Sequence, residues 1–121
     1  MKQVLIIDDE GDLVEMLVLR LQKSGFLVDV ALDGDTGLKE AIFSTPDVIL
    51  LDIAMPGMGG WDVCKKLRDH SKTKNVPVII ITAKQIKDVH TRAKEVGANK
   101  VLTKPFDEVE LVKAITAVIQ A

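Results

Sequence analysis

The sequence predicts an α/β fold, a doubly wound parallel sheet of five strands with helices on both faces. Three observations predict it. Short apolar, β-branched runs alternate with segments of helical period along the whole chain. Three of those runs, Val4-Leu5-Ile6-Ile7, Val48-Ile49-Leu50-Leu51 and Val78-Ile79-Ile80-Ile81, carry no polar residue, as strands buried on both faces do. No internal repeat, low-complexity segment or linker interrupts the alternation. A chain of 121 residues is one domain by length and can build a full core, so residues 1–121 are expected to form a single domain.

Each element has its own signal. The first strand ends at Asp8-Asp9. Leu13, Met16, Leu17 and Leu21 then fall at helical spacing, with Gly25 as the stop. Leu27 to Val30 reads as the second strand and Asp33-Gly34 as a turn. Leu38, Ala41 and Ile42 mark a second helix, closed before Pro46. The third strand, Val48 to Leu51, runs into Asp52 and a loop of Gly, Pro and Met. Val63, Cys64 and Leu67 mark the third helix. The fourth strand ends at Thr82, and a fourth helix carries Ile86, Val89, Ala93 and Val96 to a stop at Gly97. Lys100-Val101-Leu102 is a short fifth strand followed by Thr103-Lys104-Pro105. Asp107 and Glu110 have capping-box spacing, opening a last helix through Val112, Ile115 and Ile119.

Composition removes several function classes. Apolar residues make up 47% and charged residues 28% of the chain, an ordinary globular balance. The net charge of −2 gives no basic footprint for direct nucleic-acid binding. The lone Cys64 rules out an internal disulfide and a cysteine-rich zinc site. No apolar run approaches membrane-spanning length, and Met1-Lys2-Gln3 leads straight into a strand without a signal-peptide pattern. The expected location is the cytoplasm.

The polar residues fall in a pattern that the strands explain. Asp8-Asp9 ends the first strand, Asp52 the third and Thr82 the fourth, and Lys104 follows the fifth. In an open parallel sheet these ends share one edge, where ligands bind. Clustered carboxylates repel, by about 4 kcal/mol per pair at 4 Å and an effective dielectric near 20. They take up protons or recruit a hard cation such as Mg²⁺. A metal, a lysine, a hydroxyl and a nucleophilic Asp together suggest phosphoryl transfer to a carboxylate. Singly, each residue has a plainer reading. Asp8-Asp9 or Asp12 could cap a helix, Thr82 could simply end a strand, and Lys104-Pro105 could be loop.

With these residues in hand, the sequence resembles the receiver domains of two-component response regulators. The resemblance rests on Asp8-Asp9, on Asp52 followed by Met55-Pro56 and Gly59-Gly60, on Thr82-Ala83 and on Lys104-Pro105, and it covers essentially the whole chain. It implies a flavodoxin-like (βα)5 fold with strand order 2-1-3-4-5. Asp52 would be the phosphoacceptor. Asp9 and Asp52 would bind Mg²⁺ directly with the Ala54 backbone carbonyl, and Asp8 through water. Thr82 and Lys104 would contact the phosphoryl oxygens, Lys104 pairing with Asp52 before reaction, and the backbone N–H groups of Ala54 and Ala83 would complete the cradle. The Lys104–Pro105 peptide would be cis. The phosphodonor would be a histidine kinase or histidine phosphotransfer protein. Phosphorylation would shift the surface of the fourth helix, fifth strand and fifth helix, controlling a downstream protein or output domain.

One departure from the family pattern is Val101, where an aromatic residue commonly reports the state of the site. Ala54 leaves an attacking water unobstructed, whereas Lys84 can cover the site, so no phosphate lifetime follows. Cys64 and Trp61 read as packing residues, His70 and His90 have no metal-ligand spacing, and Lys84, Lys87, Arg92 and Lys94 make the fourth helix basic. A haloacid-dehalogenase-like phosphatase is disfavoured because Ala54 stands where a second Asp belongs, and an FMN binder because the chain has few aromatics. The sequence stops after the last helix, which leaves both a stand-alone regulator and part of a larger protein open.

Overall fold

Val4, Ile6, Val48, Leu50, Ile79 and Ile81 bury their side chains on one face of a sheet, and Leu5, Ile7, Ile49, Leu51 and Ile80 on the other. That split follows from the two-residue period of a strand. In the computed structural model, which describes residues 1–83 and 87–120, these residues lie on β1 (Gln3–Ile7), β3 (Val48–Asp52) and β4 (Val78–Ala83). With β2 (Leu27–Ala31) and β5 (Lys100–Lys104) they form one parallel sheet in the order β2-β1-β3-β4-β5. The expected fold class and strand order are both observed.

The helices cover both faces. On one side α1 (Gly11–Lys23) and α5 (Glu108–Gln120) bury Leu17, Leu21, Leu111 and Ile115. On the other, α2 (Gly34–Ser44), α3 (Gly60–Asp69) and α4 (Val89–Glu95) bury Ala41, Val63, Leu67 and Ala93. Each large aliphatic side chain taken fully out of water contributes roughly 1.5–3 kcal/mol. Gly25, at φ +90, ends α1 as predicted, in a left-handed conformation that a Cβ would disfavour.

Several boundaries differ from the sequence reading. The parallel ladder between β4 and β5 continues through Thr82–Thr103 to Ala83–Lys104. Lys104 is therefore the last residue of β5 rather than part of a following loop. Asp33, read as a turn residue, is the N-cap of α2, where its carboxylate accepts the Thr36 N–H at 2.8 Å. The Asp107–Glu110 capping box forms as expected, with the Glu110 N–H donating to Asp107 at 2.8 Å. The fourth helix begins at Val89, after Asp88 at φ +59. Lys84 and Ile86, both singled out in the sequence, lie outside the described residues.

Candidate functional site

The chain reverses its winding direction between β1 and β3, and the crevice at their carboxyl ends receives the acidic residues. Asp8, the first residue beyond β1, is fully buried. One of its carboxylate oxygens, Oδ1, accepts the Glu10 N–H at 2.9 Å, and the other, Oδ2, has no hydrogen-bond partner. Burial, the largest effect, and the charge of Asp52 push the Asp8 pKa up to about 6, against the Glu10 N–H and Lys104, which pull it down.

Asp52 ends β3 and is 3% exposed. Its Oδ1 accepts the Ala54 N–H at 3.1 Å, so the backbone donor expected in a phosphoryl cradle already faces this carboxylate. The following loop returns so tightly that a Cβ on Gly60 would stand 2.5 Å from Ile53 Cα and 2.6 Å from the Asp52 carbonyl oxygen. Only glycine lets α3 start against the strand exit, and that contact holds the Asp52 backbone in place.

Carboxylate oxygens of Asp8, Glu10 and Asp52 lie within 4.8 Å of one another. Asp9, expected beside Asp52 as a direct metal ligand, is exposed and outside this group. As the chain leaves β1, Asp8 is turned into the crevice and Asp9 toward solvent. Glu10 takes the third place and was not recognised in the sequence, although Asp8-Asp9-Glu10 is a run of three acids. Three carboxylates at this range cost about 3 kcal/mol per pair at an effective dielectric near 20. Glu10 Oε1 already has the Lys104 ammonium at 2.8 Å, whereas the oxygens of Asp8 and Asp52, with the buried Asp8 Oδ2 left unpaired, fit a hard divalent cation.

Lys104 differs from expectation in its partner. Its ammonium lies 2.8 Å from Glu10 Oε1 and 3.6 Å from Asp8 Oδ2, and among the described residues it has no ion pair with Asp52. Burial lowers its pKa, but the Glu10 hydrogen bond and the charges of Asp8 and Asp52 outweigh that, and the net shift is upward. The Lys104–Pro105 peptide is cis. Thr82 is 1% exposed, its hydroxyl donating to the Ala83 carbonyl at 3.3 Å. Ala54 and Ala83 are exposed at the mouth. Val101 packs as an aliphatic residue in the cluster that contains Val89 and Ala93 of α4.

Residues 4–116 match the family described as response regulator receiver domain. The response regulator PleD of Caulobacter vibrioides is 41% identical over 109 residues, which are 90% of this chain and 24% of that protein. The sensory transduction protein RegX3 of Mycobacterium tuberculosis is 41% identical over 120 residues, 99% of this chain and 52% of its own length. The chain thus spans between about a quarter and about half of these curated relatives. Among solved structures, the Vibrio cholerae chemotaxis protein CheY4 superposes with a TM-score of 0.92 at 34% identity, covering 98% of each chain.

Proposed function

The chain belongs to the response-regulator receiver domain family of two-component signalling, and from that premise we propose that Asp52 is its phosphoacceptor. The observation that carries this reading is a buried Asp52 carboxylate at a strand end, grouped with Asp8 and Glu10 and with Lys104 alongside. An Asp52 oxygen attacks phosphorus, a new P–O bond forms, and the bond to the donor breaks with its electron pair leaving on the donor. With a phosphohistidine donor the imidazole is released and takes a proton; with acetyl phosphate, acetate departs. Burial fixes the Asp52 carboxylate in position, which is what an in-line displacement requires.

Mg²⁺ is the proposed cofactor. Asp52, Asp8 and the Ala54 carbonyl would hold it directly or through its waters, and exposed Asp9 would have to turn inward to share it. The ion would neutralise charge between the carboxylates and the incoming phosphoryl oxygens. Lys104 and the Thr82 hydroxyl would bind those oxygens with the N–H groups of Ala54 and Ala83, and Pro105, next to Lys104, would have a structural role. On this reading the protein catalyses only its own phosphorylation and dephosphorylation.

Residues 1–121 would act as one receiver domain. The donor would be a histidine kinase or a histidine phosphotransfer protein. The new charge would draw Thr82 inward and shift the surface of α4, β5 and α5 toward binding a downstream protein or output domain. No helix among the described residues is long and apolar enough to cross a membrane; the proposed location is the cytoplasm. Incubation with acetyl phosphate and Mg²⁺, followed by intact-mass spectrometry, is expected to add one phosphoryl group. Loss of that group both in Asp52→Asn and on chelation is the expected control result; labelling that survives in Asp52→Asn would refute the assignment.

A further inference from the structure

We propose that Glu10 is a positioning residue that holds Lys104 at the lip of the site until a phosphoryl group takes the lysine over. This rests on the reading of Asp52 as phosphoacceptor and adds a residue that the reading does not use. Lys104 is the only lysine or arginine that forms an ion pair with the acidic group among the described residues, and its short contact, 2.8 Å, is with Glu10. Asp8 Oδ2, at 3.6 Å, is beyond hydrogen-bond range of the ammonium. Glu10 is itself anchored, because its backbone N–H donates to Asp8 Oδ1 at 2.9 Å.

The exposure of the two partners decides what such a pair can do. The Glu10 side chain is 60% exposed and that of Lys104 21%. A pair reached by water is cheap to break, unlike a buried one. Lys104 can therefore leave Glu10 for phosphoryl oxygens, exchanging one charge-assisted contact for another without stranding a buried charge. The Glu10 carboxylate then turns to water. Phosphorylation must overcome the Glu10–Lys104 contact, whereas hydrolysis of the aspartyl phosphate begins after Lys104 has already moved. Removing Glu10's charge thus accelerates phosphorylation and leaves hydrolysis unchanged.

The test is the rate of labelling by acetyl phosphate at saturating Mg²⁺ in Glu10→Gln, with Asp12→Asn as a charge control. Asp12 is an exposed acid in the first turn of α1. Glu10→Gln is expected to label about two- to fivefold faster, the factor that an exposed ion pair commands, with Asp12→Asn at the wild-type rate. Mg²⁺ affinity, read by calorimetry without phosphodonor, is expected to stay within about threefold. In metal-free protein the melting shifts of Glu10→Gln and Lys104→Gln are expected to be non-additive, as for two residues in contact.

An unchanged rate in Glu10→Gln overturns the proposal, as does equal acceleration in Asp12→Asn, which would mark a general field effect. A roughly tenfold loss of Mg²⁺ affinity also overturns it, by making Glu10 a metal ligand. Wild-type protein that takes no phosphoryl group overturns the assignment of Asp52 itself, a failure distinct from the other three.

Discussion

The guanidinium of Arg92, on α4, stands over the indole of Trp61, at the start of α3, 5.4 Å from the ring centroid. Trp61 follows directly on Gly60, whose N–H donates to the Ile53 carbonyl at 3.4 Å and where a Cβ would run into the Asp52 carbonyl oxygen and Ile53. A displacement of the Asp52 exit therefore reaches the indole through one tight backbone contact. Trp61 is the only tryptophan in the chain, so its emission reports this junction. Phosphorylation is expected to change that emission in wild type and not in Asp52→Asn. Arg92→Ala should shift the emission of the resting protein and cost about 0.5–1 kcal/mol in chemical denaturation. An Arg92→Ala spectrum identical to wild type would mean that the stack does not form in solution.

Asp8 makes the metal-free protein pH-dependent, and the sign follows from its raised pKa. With a folded-state pKa of about 6 against an ordinary 3.8, the folded chain binds more protons than the unfolded chain between those values. Stability from this group is therefore highest below the lower value and falls as pH rises through about 6. Above that it amounts to a penalty on the order of 1–3 kcal/mol. Asp8→Asn should raise the melting temperature in chelator at about pH 7.5, and the gain should vanish near pH 4, where wild type is protonated too. A gain that is independent of pH would place the effect in packing rather than charge.

The sheet, and the placing of Asp8, Asp52 and Thr82 at one edge of it, were legible because both depend on local pattern. Unbroken apolar runs identify strands buried on both faces, and any polar residue ending such a run must lie at the sheet edge. Asp8, Asp52 and Thr82 were found that way. The direction in which each side chain turns as it leaves a strand is set by the loop, and no periodicity encodes it. That is why Asp9 was expected in the cluster and Glu10 was not, and why Lys104 was paired with Asp52 instead of Glu10. Asp33 was misread for a related reason, since an Asp before Gly serves a turn or a cap equally well.

Arg68 is the plainest case of a residue whose role the sequence hides. It lies near the end of α3 and was assigned no role from the sequence. Its guanidinium donates to the carbonyls of Gly97, at 2.9 Å, Val76, at 2.8 Å, and Thr73, at 3.2 Å, and to Asn99 Oδ1, at 3.0 Å. It joins the end of α3 to the segments entering β4 and β5. Arg68→Met leaves these acceptors without their donor and should cost on the order of 2–3 kcal/mol, with Arg68→Lys recovering only part because an ammonium cannot span the same fork. Denaturant melts measure both, and a loss below about 0.5 kcal/mol in Arg68→Met would show that water satisfies these groups equally well.

Gly59 and Gly60 are adjacent and chemically identical, yet the structure separates them. A Cβ at Gly59 meets only the Ile53 carbonyl, at 3.6 Å, an ordinary contact. At Gly60 it would fall 2.5 Å from Ile53 Cα and 2.6 Å from the Asp52 carbonyl oxygen, both backbone atoms that cannot rotate away. Gly59→Ala should change stability by no more than about 0.5 kcal/mol. Gly60→Ala should lose roughly 1–3 kcal/mol and, because relief of the clash moves the Asp52 exit, slow phosphorylation by acetyl phosphate about tenfold or more. The comparison is made at a temperature where both variants are fully folded, checked by circular dichroism. A folded Gly60→Ala protein that labels as fast as Gly59→Ala would show that the position of Asp52 does not depend on the start of α3.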